Sequence, residues 1–155
     1  MKTCIAILAL LFAASVSAET TVEIGSNWQT FAPPDLETKT SDNATLIVSR
    51  RFDILPVDFA DVEAIGVAIS GEQATEYAGF SLNLKGDPFS VQLGAVGITR
   101  ETAHLSNHLQ ILTGIKAEYG RVVIRYMHIS NGKRYLGRAS LPNVGEDVIS
   151  IGLSF

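Results

Sequence analysis

The chain is poor in several residue types that carry familiar chemistry. It has one cysteine in 155 residues, Cys4, and that lies in an N-terminal leader. The rest therefore has no thiol, which excludes a disulfide framework, a thiolate metal site and a cysteine nucleophile. Basic charge is also scarce, with 12 Lys and Arg against 16 Asp and Glu and a formal net charge of −4. A nucleic-acid partner is read from a clustered positive footprint, so none is expected here. Charged residues make up 18% against 46% hydrophobic, the reverse of a disordered composition. Beyond the leader no apolar run approaches the ~18–20 residues of a membrane helix, and helical periodicity is poor throughout.

Three things are present instead. The first is the leader. Lys2, the apolar run from Ile5 to Ala14, and the small residues Val16-Ser17-Ala18 before Glu19 have the layout of a secretory signal peptide. This predicts a signal peptide over 1–18 and one domain over 19–155, or 155 − 18 = 137 residues.

The second is a series of short alternating segments. Strands are predicted at Thr20–Trp28, Ala44–Phe52, Val62–Ser70, Glu76–Lys85, Phe89–Ile98, His108–Tyr119, Arg121–Ser130 and Asp147–Phe155. Pro33-Pro34-Asp35, Ser41-Asp42-Asn43, Gly71-Glu72, Gly86-Asp87-Pro88 and a long polar link after Asn131 separate them. Within the strands, Phe80, Leu82 and Leu84 share one face while Ser81, Asn83 and Lys85 share the other. Ile149, Ile151, Leu153 and Phe155 likewise oppose Val148, Ser150, Gly152 and Ser154. One face is large and apolar, the other small and polar.

A soluble sandwich or barrel places the apolar face inside, whereas a transmembrane barrel turns it to lipid. Parity alone does not choose between them. Eight strands of about 9–11 residues suit a small outer-membrane barrel. The Gly- and Ser-rich face suits a narrow lumen crossed by Arg–Glu and Lys–Glu pairs, and the terminal alternation ending in Phe155 resembles the last strand of outer-membrane barrels. The predicted fold class is therefore all-β, an eight-stranded antiparallel transmembrane barrel. A secreted soluble β-barrel holding an apolar ligand is the alternative. Trp28, Phe31, Phe52, Phe59 and Tyr119, near segment ends, could form interfacial girdles.

The third is a constellation near the C-terminus. His128 and Ser130 are two apart on a strand and point to one side, the apolar side of Val122, Ile124 and Tyr126. In the following strand, parity puts Asp147 on the matching face with Ile149, and Glu146 on the opposite one. In an antiparallel hairpin the end of one strand meets the start of the next, so Ser130, His128 and Asp147 can converge on the outside of the barrel. Serine is a weak nucleophile until a histidine takes its proton, and a carboxylate on the other ring nitrogen orients that histidine. Asn143, or a backbone N–H near Gly132 or Gly145, could serve an oxyanion. Spacing alone does not separate this reading from ordinary polar residues at a strand end.

The run His128-Ile129-Ser130-Asn131-Gly132, preceded by Arg125-Tyr126 and followed by Pro142-Asn143-Val144-Gly145-Glu146-Asp147 and a terminal strand, resembles the lipid A 3-O-deacylases (PagL-type). The specific match covers about the last thirty residues. The resemblance implies an outer-membrane serine esterase of a Gram-negative-type bacterium that removes an ester-linked 3-hydroxyacyl chain from lipid A. His128 would be the general base, Ser130 the nucleophile, Asn143 an oxyanion contributor and Asp147, where the pattern has glutamate, the triad acid. Glu146 would substitute only if a bulge shifted the strand start. Lys133, Arg134 and Arg138 would hold the lipid's phosphates. The implied partners are lipopolysaccharide and outer-membrane lipid. No cofactor is expected, and a homodimer is left open. The competing reading is a non-enzymatic structural or adhesive barrel with a decayed site.

One echo of the motif is set aside. His104-Leu105-Ser106-Asn107 has no following Pro-Asn-x-Gly-x-acid, and its His and Ser fall in phase with Gln110 rather than with the apolar face. His104 and His108 are spaced for one face of a helix, in a stretch that reads as a loop entering a strand, and no third metal ligand is evident.

Overall fold

Period-2 alternation is stable as a strand only when the two faces meet different media, and here each strand has neighbours on both sides. The computed structural model describes residues 19–28, 44–71, 74–102, 105, 107–131 and 145–155. These form eight strands: β1 (Thr20–Trp28), β2 (Ala44–Phe52), β3 (Ala60–Ile69), β4 (Thr75–Lys85), β5 (Phe89–Ile98), β6 (Leu109–Tyr119), β7 (Val122–Ser130) and β8 (Glu146–Ser154). Each pairs antiparallel with its sequence neighbours, and β1 pairs with β8 to close the barrel. The fold is thus the all-β, eight-stranded antiparallel barrel expected from the sequence. β3 and β4 begin earlier than predicted, at Ala60 and Thr75, and β8 begins at Glu146. The leader lies outside the described residues.

The two ends differ. At one end the strands are joined by tight connections, 86–88 and 120–121, and by 53–59; both ends of the closing β1–β8 pair, near Glu19 and Phe155, lie here too. Gly120, with φ +61°, opens the turn into β7, where a side chain would be strained. At the other end the connections are 29–43, 70–74, 99–108 and 131–145. Barrels of the outer-membrane type have short turns at one end and longer loops at the other, and the connections here divide in that way.

The outside is apolar. Ile24, Leu46, Phe80, Leu82, Val91, Leu93, Ile111, Ile115, Ile124, Ile149, Ile151 and Leu153 all stand exposed on it. Aromatic side chains gather at the short-turn end, where Phe59, Phe89, Tyr119 and Phe155 are exposed and Arg50 lies 5.9 Å from the ring centroid of Phe52. Of the other girdle candidates, Phe31 and the side chain of Trp28 lie outside what the structure describes.

The inside carries the charge, as lipid-facing barrels require. Arg125, fully buried, donates from Nη1 to Glu63 at 2.9 Å, from Nε to Glu23 at 3.0 Å and from Nη2 to Ser49 at 3.0 Å. Lys116 reaches Glu118 at 2.9 Å and Glu63 at 3.5 Å, while Gln92 donates to Glu63 at 2.7 Å. The lumen is not polar along its whole length, however. Toward the long-loop end it becomes an apolar core of Ile47, Ile65, Val67, Ile69, Tyr77, Val96, Leu112, Met127, Ile129 and Val148, which Leu105 joins from the loop after β5. The expected narrow polar lumen is therefore layered, with a charged layer near the short turns, a packed apolar layer above it, and Asn27, Thr45, Gln110 and Glu146 buried at the long-loop end.

Candidate active site

β7 and β8 run in unbroken register from Val122↔Leu153 to Ile129↔Glu146, with His128 opposite Asp147. No bulge occurs, so parity holds to the rim. Glu146 faces the lumen and is fully buried, whereas Asp147 faces outward with His128. This answers geometrically which acidic residue meets the histidine.

The contact is direct. His128 Nδ1 lies 3.0 Å from Asp147 Oδ1. The Asp147 side chain is only 1% exposed although it lies on the outer face, and that of His128 is 24% exposed. A carboxylate so withdrawn from water must have its acceptor positions filled. One further donor is the Tyr126 hydroxyl, 2.6 Å from the same oxygen.

Ser130 closes β7 opposite Ile111, on the outward face one pleat beyond His128 and half-exposed. No hydrogen bond joins it to His128 among the described residues. Catalytic hydrogen bonds commonly tighten only with substrate bound.

Gly145 leads into β8 with φ +77°. A Cβ there would fall 2.7 Å from Cε1 and 3.1 Å from Nε2 of His128. Glycine is needed on both counts, conformation and space, and the backbone at 145 backs the imidazole on the edge away from Asp147. Sequence reading treated Gly145 only as a source of a backbone N–H. Tyr126 appeared only as a member of the motif and of the apolar stripe, and its diagonal position to Asp147 is the signal that could have singled it out.

Asn143, Gly132, Lys133, Arg134 and Arg138 lie outside the described residues, as do His104 and Ser106 of the echo motif. His108 lies with Nδ1 3.2 Å from the Ile98 carbonyl oxygen. The described site is thus a carboxylate–imidazole pair on the apolar wall, at the long-loop rim, with a hydroxyl on the same face. Chemically, such an arrangement can accept a proton from a neighbouring hydroxyl.

No protein-family model and no curated protein matches the chain. Among solved structures it is similar to the crystal structure of the outer membrane enzyme PagL, with a TM-score of 0.53 over 88% of this chain and 98% of that one. The two are 13% identical, so the likeness is one of fold.

Proposed function

We propose that this chain is a serine esterase of the outer membrane that removes an ester-linked 3-hydroxyacyl chain from lipid A. The observation that carries the proposal is the His128–Asp147 pair on the outward wall, beside Ser130 and at the long-loop rim. A soluble esterase would keep such a pair in a water-filled cleft. A pair on an apolar wall suits a substrate whose ester lies among acyl chains in the outer leaflet.

In this reading Ser130 Oγ attacks the ester carbonyl carbon while His128 Nε2 takes its proton. Asp147 orients the imidazole through Nδ1 and stabilises its charged form. Collapse of the tetrahedral intermediate expels the 3-hydroxyl oxygen of the sugar, which takes the proton back from His128. Water, activated by the same histidine, then cleaves the acyl-enzyme and releases the hydroxy fatty acid. Asn143 and the backbone near Gly132 are the proposed oxyanion donors. Lys133 and Arg134, with Arg138, are proposed to hold the lipid's phosphates. Residues 1–18 are proposed to direct export.

The test is mass spectrometry of lipid A after incubation with the detergent-purified protein, beside Ser130→Ala. Loss of one 3-hydroxyacyl group with the native protein alone is expected. Intact lipid A from several species, with the barrel demonstrably folded, would leave a structural barrel and end the esterase reading.

A further inference from the structure

The geometry points to Tyr126 as a positioning residue that holds the Asp147 carboxylate against His128. This rests on the esterase reading above, and deepens it.

Tyr126 stands two residues before His128 on the outward face of β7, opposite Ile149. Asp147 is therefore its diagonal neighbour on β8. Diagonal positions lie about 7–8 Å apart, within reach of a long aromatic side chain but not of a short polar one. The hydroxyl spans that gap and donates to Asp147 Oδ1 at 2.6 Å, the oxygen that also meets His128 Nδ1 at 3.0 Å. An O–H···O⁻ bond of this length is in the range of charge-assisted hydrogen bonds.

Two donors on one oxygen define the plane of the carboxylate. An aspartate χ2 torsion has a broad, shallow preference of its own, so a donor from the phenol adds a constraint on the group beside that of the histidine. Here the carboxylate is covered, and Ile124, Ile149 and Ile151 share its outward face. A donor built into the wall serves a carboxylate that solvent barely reaches. The proton abstracted from Ser130 goes to His128 Nε2, and the Nδ1 proton stays where Asp147 faces it. Tyr126 touches neither reacting group in this scheme and acts through Asp147.

The experiment compares the full-length native protein with Tyr126→Phe, which keeps the ring on the wall and removes the hydroxyl. Two quantities are read: kcat and KM on lipid A, and the downfield NMR resonance of the His128 Nδ1 proton, assigned by its loss in Asp147→Asn. The expected result is a roughly 10-fold lower kcat, the size of one lost hydrogen bond to a charged group, with KM unchanged and the resonance shifted. A merely structural role for the ring would move neither quantity in Tyr126→Phe, and that outcome overturns the proposal. If native protein leaves lipid A intact while the resonance still responds to Tyr126→Phe, the esterase reading fails and the positioning role stands. Should Tyr126→Phe not fold, 3-fluorotyrosine at position 126 strengthens the donor without altering shape, and an unmoved resonance would again overturn the proposal.

Discussion

Arg125 and Glu63, 62 residues apart in the chain, meet in the lumen as a two-pronged pair, Nη1 to Oε2 at 2.9 Å and Nη2 to Oε1 at 3.0 Å. Glu23 takes the remaining side of the guanidinium, and Ser150 donates to Glu23 at 2.6 Å. Only a planar fork can serve two carboxylates in this way, which is why lysine would not replace it. The arrangement neutralises charge that no solvent reaches.

Removing the cation from that layer should therefore cost far more than a surface ion pair. Arg125→Ala leaves buried Glu23 without its cation and Glu63 with Lys116 alone, and is expected to destabilise the barrel by about 3–5 kcal/mol. Urea unfolding of the protein in lipid vesicles, followed by tryptophan fluorescence, measures it. A change below about 1 kcal/mol, the scale of an exposed pair, would show that water enters the layer.

The outer wall gives a test of opposite sense. Ile151, 53% exposed and mid-strand on β8, faces lipid in the membrane reading. Ile151→Arg should then cost about 2–4 kcal/mol in a bilayer. Were that face bathed in water, the same change would stay within about 0.5 kcal/mol. The vesicle unfolding assay separates the two.

At the site, Gly145→Ala places a methyl group against the imidazole of His128 and forces a side chain into the left-handed region, at about 1–2 kcal/mol. The barrel should survive this. Deacylation should fall by about 10²-fold, the effect of displacing a catalytic group by an ångström. Heat-modifiable migration on gels reports folding, and lipid A mass spectra report activity.

Asp147→Asn keeps the shape and removes the charge that orients His128. Its expected effect is a loss of about 10⁴-fold in kcat, with Asp147→Glu retaining activity because it restores the acid that the resembled pattern carries. Equal activity in the Asn variant would exclude Asp147 from the reaction.

Much of this molecule was legible in its sequence because the governing rule is local. Alternation with period 2 assigns each residue to a face without reference to any other strand, so eight strands, their apolar and polar faces and the shared face of His128, Ser130 and Asp147 follow from parity, whereas which face turns outward does not. Hairpin geometry then brings His128 to Asp147, since antiparallel neighbours share a rim. What parity cannot supply is height and closure. The meeting of Arg125 with Glu23, 102 residues away, depends on the stagger of the closed barrel. So does the separation of the lumen into a charged layer and an apolar plug, because residues such as Met127 and Arg125 share a face and differ only in level. The same holds at the site. Unbroken register as far as Ile129↔Glu146, rather than composition, puts Glu146 inside and Asp147 outside. The approach of the Gly145 backbone to the imidazole, and of the Tyr126 hydroxyl to Asp147, exists only once both strands are paired, because each joins atoms whose distance is set by the fold and not by the chain.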